Sequence, residues 1–278
     1  MRPRHFSPKV AGVAAAVLVA SSATVALAAG GGSSPNGSPS GGRVAHVAGA
    51  PAMNAGSQLQ LVAVRPCRVV DTRLAGGRLN NSQRSFKAVG NLSGQGGKSS
   101  GCGVPSYAVA LSLNLVAIGQ SGSGSYMYAW PAGTAQPVAS AINYPRSGDA
   151  IANGITLPIT AGGSWAFTLK TPGKAQVAAD VTGYYVKPLY VVLSPSGTPY
   201  GGSSGVVSTN RISAGRYEIE FDRNVRKCAA TTSDLIFDGT RDVTADMTYS
   251  SDPTTVTVQV TNKDGNAEDT YFSLAMSC

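Results

Sequence analysis

The sequence predicts an all-β fold: two β-sandwich or jelly-roll-like domains behind a signal peptide and a flexible linker. Three observations carry this expectation. Strong helix formers are scarce: charged residues make up only 13% of the chain, Glu occurs only at 218, 220 and 268, and 34 glycines punctuate the rest. Apolar residues recur with period two in short runs bounded by Gly, Pro, Asn and Ser, as in Val109, Leu111, Leu113 and Leu115 or Val256, Val258 and Val260. Four cysteines fall as Cys67 with Cys102 and Cys228 with Cys278, one pair in each half.

In chain order, Arg2, Arg4 and Lys9 precede an apolar, alanine-rich stretch that ends in Ala26-Leu27-Ala28. This pattern predicts a secretory signal peptide over 1–28, with a retained membrane anchor as the alternative for the same segment. Residues 29–57 are rich in Gly, Ser, Pro and Ala and lack the apolar surface that offsets ordering entropy, so a tether is expected there.

A basic β-sandwich domain is expected over 58–187. Its strands are Leu59 to Val64, Arg68 to Asp71, the run from Val109, Ser125 to Ala129, Ala141 to Tyr144 and Gly154 to Leu157. Two further alternations complete it, Trp165-Phe167-Leu169 and Val177-Ala179-Val181. Residues 188–209 read as a linker with one short strand, Tyr190 to Leu193. An acidic β-sandwich is expected over 210–278, with Tyr217-Ile219-Phe221 and Val256-Val258-Val260 alternating and Tyr271 to Cys278 closing the chain.

The charge is divided between these halves. Residues 60–187 hold eleven Lys/Arg against Asp71, Asp149 and Asp180, whereas 188–278 hold seven against eleven acids. A basic half suits polyanions such as teichoic acids or nucleic acid, or serves only as a solvated surface. Three disulfide connectivities are formally open. Local pairing is the simplest, giving each half a staple that contributes about 3 to 4 kcal/mol by loop-closure entropy, and disulfides fit an oxidising compartment.

Several ordered motifs carry a resemblance. Pro66-Cys67-Arg68-Val69-Val70-Asp71-Thr72-Arg73, Gly103-Val104-Pro105, Leu111-Ser112-Leu113-Asn114, Ile142-Asn143-Tyr144, Ala152-Asn153-Gly154, Ala161-Gly162-Gly163 and Asp180-Val181-Thr182-Gly183-Tyr184-Tyr185 lie over about 125 residues. Together they resemble a β-rich module of secreted actinobacterial proteins, often tandem or appended to hydrolases. The resemblance implies a secreted all-β module and brings no residue roles with it. The second half, through Gly215-Arg216-Tyr217-Glu218, Phe221-Asp222-Arg223 and Phe272-Ser273-Leu274-Ala275, more loosely resembles C-terminal modules of bacterial secreted and fibre-like proteins.

Chemistry is sparse. The two histidines, His5 and His46, fall in the expected signal peptide and tether, so no folded unit holds the base of a Ser-His-Asp or Cys-His system. Gly201-Gly202-Ser203-Ser204-Gly205 has the letters of a nucleophile elbow but reads as linker, and Leu157-Pro158-Ile159-Thr160-Ala161 reads as a strand end and turn. In the first half, Asp71 and Asp180 are the acids in strand-like surroundings. They form either the carboxylate pair of a glycoside hydrolase or a structural ion-pair set with Arg68 and Arg73, and flanking arginines favour the second. Asp234, Asp238, Asp242 and Asp246 recur every four residues without the dense oxygen spacing of a calcium loop, so they read as turn acids and no metal is expected.

Alternation puts Tyr126, Tyr128 and Trp130 on one strand face, as a sugar platform or as half of a core, and Asn114 and Asn143 join them as candidate binding residues. The expected function is non-catalytic binding of a glycan or wall polymer at the cell envelope, secreted or wall-associated. No cofactor, nucleic-acid partner or stable membrane insertion after signal cleavage is expected. The alternatives are a structural, oligomerising surface protein and a carboxylate-dependent glycoside hydrolase.

Overall fold

The computed structural model describes residues 58–278 apart from 120–123, 146–147 and 237–238. The expected signal peptide and tether lie outside the described residues. Those residues form two β-sandwich-like domains of antiparallel strands, without an α-helix.

The first domain contains β1 (Gln60–Asp71), β2 (Leu79–Phe86), β3 (Ala110–Gly119), β4 (Ser125–Pro131), β5 (Ile142–Tyr144), β6 (Ala150–Pro158) and β7 (Phe167–Val186). It is organised on β7. The first half of β7 lies between β2 and β4, and its second half lies between β1 and β3, with β5 and β6 as outer neighbours. Pro172 falls where these partnerships change hands: pairing with β4 ends at Lys170 and pairing with β3 begins at Ala175, so the missing N–H costs no ladder bond to either. Leu111, Leu113 and Leu115 of β3 meet Leu169, Val177, Ala179 and Val181 of β7 in one core, with Val69, Met127, Tyr144 and Leu157.

The alternation expected of Trp165, Phe167 and Leu169 holds only for the last two. The strand starts at Phe167, which stacks on Phe86 at 5.7 Å, whereas Trp165 precedes it and is half exposed.

The second domain opens on β8 (Leu189–Leu193), two residues after β7. It continues through β9 (Pro199–Ser204), β10 (Val206–Ser213), β11 (Arg216–Phe221), β12 (Ala229–Asp234), β13 (Arg241–Asp246), β14 (Thr255–Asn262) and β15 (Phe272–Ser277). Residues 188–209 are therefore not a linker with one strand. β8 lies inside the sheet β12-β15-β8-β9, and β10 edges the facing sheet β10-β11-β14-β13. The reading failed because β9 and β10 carry Gly, Ser and exposed residues where alternation would have marked strands. The two inner faces meet through Val191, Leu193, Phe272 and Leu274 against Tyr217, Ile219, Val256 and Val258.

Both disulfides take the local pairing, Cys67–Cys102 and Cys228–Cys278. The second continues the β12–β15 ladder, whose last rung pairs Ala229 with Ser277.

Candidate binding grooves around the Asp71 clamp

The geometry begins with an irregularity in β1. Residues three apart on a regular strand face opposite sides. Between Arg68 and Val70, however, the register against β7 shifts by one residue, and Val69 and Val70 are both buried. The bulge brings Arg68 and Asp71 to the same side.

Arg68 Nη1 donates to Asp71 Oδ2 at 2.5 Å, while its Nε and Nη2 donate to Asp180, the cross-strand partner of Arg68, at 2.6 and 3.1 Å. Asp71 also accepts from Arg73: Nη2 to Oδ2 at 2.6 Å, Nε to Oδ1 at 2.8 Å and the backbone N–H to Oδ1 at 3.1 Å. Arg73 reaches it from the turn after the strand, not along the strand face. Asp71 is only 2% exposed. The Arg73 hydrogen bond holds its carboxyl below the usual carboxylate range, against the opposing push of burial.

The Asp71 main chain organises its surroundings. Its carbonyl accepts from Leu74 N–H at 3.0 Å and Ala75 N–H at 3.2 Å, which fixes the turn. The loop 92–98 is pressed onto the same strand. A Cβ on Gly96 would stand 2.0 Å from the Asp71 carbonyl oxygen, and one on Gly97 would stand 2.3 Å from that of Val69. The Gln95 amide works as a clip: Nε2 donates to the carbonyls of Val69 at 2.8 Å and Lys87 at 2.9 Å, while Oε1 accepts from Lys87 N–H at 2.9 Å.

The turn and the loop together form a ridge with a groove on either side. The first groove, about 630 Å³, has Phe86 and Leu92 on its apolar side, with Arg84, Lys87, Asn91 and Gln95 among its polar walls. Trp165, 50% exposed, completes it, and Lys87 Nζ sits 5.9 Å from the indole centroid. Ala166 N–H donates to the Phe86 carbonyl at 2.8 Å, which sets Trp165 beside the end of β2. The second groove, about 760 Å³, includes Arg65, Arg68, Lys98 and the 76% exposed Leu74. The sequence marked the clamp but not the Trp165 groove. Its available signal was a lone Trp after Gly162-Gly163-Ser164, and the period-two match to Phe167 hid it.

The expected aromatic face is only partly available. Met127 points into the core, and Tyr126 and Tyr128 lie outside it with rings edge-on at 5.3 Å. Trp130 is buried, 6% exposed, and its indole N–H donates to the Thr134 carbonyl at 3.2 Å. As a stacking residue Trp130 is therefore corrected: the turn that follows β4 occupies it. Asn143 is exposed opposite Tyr126 on the β4–β5 ladder, in a shallow dish with Pro145. Asn114 lies elsewhere, on β3 beside Asp180 of β7.

Asp242 and Asp246 lie four residues apart on β13, about 13 Å at the strand rise. Asp246 caps a turn through Thr248 and Tyr249, Asp234 accepts from Thr270 and Ile236 N–H, and Asp238 lies outside the described residues. Ser203 and Ser204 fall at the end of β9, followed by another strand rather than a helix. Among the described residues no three His, Cys, Asp or Glu side chains converge, and no helix is long and apolar enough to cross a membrane. No protein family, curated protein or solved structure matches this chain.

Proposed function

We propose that this is a secreted, non-catalytic binding protein of the cell envelope that holds a glycan or wall polymer in the Trp165 groove. The carrying observation is the half-exposed indole set in a groove with apolar and amide-bearing walls. A sugar ring offers an apolar face to an aromatic ring and hydroxyls to surrounding polar groups, and specific sites of this kind combine an apolar wall with a few placed polar groups. The resemblance to secreted actinobacterial modules and the two disulfides support an extracellular setting.

Binding is favoured over hydrolysis by the state of the carboxylates. A glycoside hydrolase needs one carboxyl held protonated by a raised pKa. Asp71 is shifted the other way, and it shares Arg68 with Asp180.

The test is retention of the purified protein on peptidoglycan and arabinogalactan. Trp165→Ala is expected to weaken retention about tenfold or more, the scale of a lost aromatic anchor. A Tyr126→Ala/Tyr128→Ala variant is expected to retain wild-type binding. Undiminished retention of Trp165→Ala would remove this reading.

A further inference from the structure

The two grooves on either side of the ridge are lined by residues adjacent in the chain. Leu74 lines one and Ala75 the other; Gly96 lines one and Gln95 the other. Neighbouring Cα atoms are about 3.8 Å apart, so the grooves are separated by little more than the thickness of the chain.

The charge along this path is of one sign. Arg84 and Lys87 line the first groove, Arg65, Arg68 and Lys98 line the second, and among the described residues no carboxylate lines either. Asp71, beneath the turn, is buried with both oxygens committed to Arg68 and Arg73. Arg68 and Arg73 together balance Asp71 and Asp180. By contrast, Arg65, Arg84, Lys87 and Lys98 form none of the ion pairs found among the described residues. Arg65, Lys87 and Lys98 are exposed. The clamp therefore sets two carboxylates, Asp71 and Asp180, against Arg68 and Arg73, and leaves a strip of cations beginning at an indole.

We infer that the two grooves form one track for an acidic glycan, with a sugar ring on Trp165 and anionic groups of the following residues over Lys98 and Arg65. This rests on the glycan-binding reading of the Trp165 groove and specifies its ligand class. A single groove would read one or two sugars, whereas the shared ridge lets a polymer continue across it. The recognised chemistry is a repeating anion on a polyol or sugar chain, either a uronate carboxylate or a phosphodiester.

The experiment is calorimetric titration of the full chain at low salt with four hexamers: an oligogalacturonate, a neutral cello-oligosaccharide, a glycerol-phosphate oligomer and single-stranded thymidylate. At least one of the two acidic non-nucleotide oligomers is expected to bind about tenfold or more tighter than the neutral one, and to lose that advantage as salt shortens the screening length. Which of the two leads identifies the source of the anion. Arg65→Gln/Lys98→Gln is expected to abolish the preference while keeping the wild-type melting temperature, since both side chains are exposed and take part in none of the ion pairs found among the described residues.

Equal binding of acidic and neutral hexamers, both lost in Trp165→Ala, would overturn the track and leave glycan binding in place. If Trp165→Ala changes the binding of no saccharide, both fall. Tightest binding by the thymidylate would overturn the acidic-glycan assignment in favour of single-stranded nucleic acid, which also stacks on aromatic rings.

Discussion

Asp71 is the residue on which the ridge depends, and its surroundings define what its loss would do. Replacing it with Asn removes the charge that holds two guanidinium groups but keeps the shape. Because the carboxylate is buried and the arginines are half exposed, the expected cost is about 2 to 4 kcal/mol in urea unfolding. A variant within 0.5 kcal/mol of wild type would contradict the clamp, taking surface pairs as the scale of a negligible effect, about 0 to 1 kcal/mol.

The acid response follows from the same chemistry. Asp71 has a lowered folded pKa, so its contribution is complete above the ordinary carboxylate value and is lost as pH falls through the folded one. Asp269 in the second domain behaves alike. The Arg211 hydrogen bonds, with those from Gly215 N–H and the Tyr217 hydroxyl, pull its carboxyl down to about 2 against the opposing effect of burial. In that window the unfolded chain binds more protons than the native one, so stability rises with pH. Acid unfolding followed by fluorescence is therefore expected to set in below about pH 4, and Asp269→Asn to flatten the dependence down to about 2. An unaltered acid profile in Asp269→Asn would refute the assignment.

At the scale of elements, the close approach of the loop 92–98 to bulged β1 makes glycine mandatory at two positions. Gly97→Ala would drive a methyl group into the Val69 carbonyl, and relief requires moving the loop and its Gln95 clip. The expected destabilisation is about 2 to 4 kcal/mol, the range of severe packing strain. Gly77→Ala has open space and only its left-handed φ of 67° to contend with, so about 1 kcal/mol is expected. Equal melting temperatures for the two variants would show that the loop does not bear on β1.

The same elements explain what the sequence made legible. β3, β11 and β14 are inner strands with one face in a core, so their period-two pattern was plain. β2, Leu79–Phe86, was invisible: only its first and last residues are buried, and Asn81, with φ 44°, sits at a bulge that resets its alternation. Pro172 lies within the 20-residue β7, where a proline gives no local sign of a continuing strand. At the site, the flanking arginines announced the Asp71 clamp. The exposure of Trp165 and the burial of Trp130 depend on where a strand begins and on what a later turn covers, and neither is encoded in local periodicity.

At the scale of the whole molecule, the two domains are joined by Lys187 and Pro188 alone between β7 and β8, and one buried arginine spans the joint. Arg223, from the segment after β11, lies over the Tyr107 ring of the first domain at 4.7 Å and donates from Nη2 to the Lys187 carbonyl. Tyr184 and Val186 of β7 and Val62 of β1 line the same small cleft. A guanidinium is suited to this place because it stacks on an aromatic face while its edge donates to a carbonyl, which lysine does not reproduce. The joint therefore has a short tether and a directional lock, and the two domains are expected to tumble as one body. In Arg223→Ala the lock is gone while both cores and both disulfides remain. Backbone 15N relaxation of the wild-type protein is expected to give one correlation time across both domains, and that of the variant two shorter ones. A single correlation time in both proteins would show that Lys187-Pro188 and the surrounding apolar contacts suffice without the arginine.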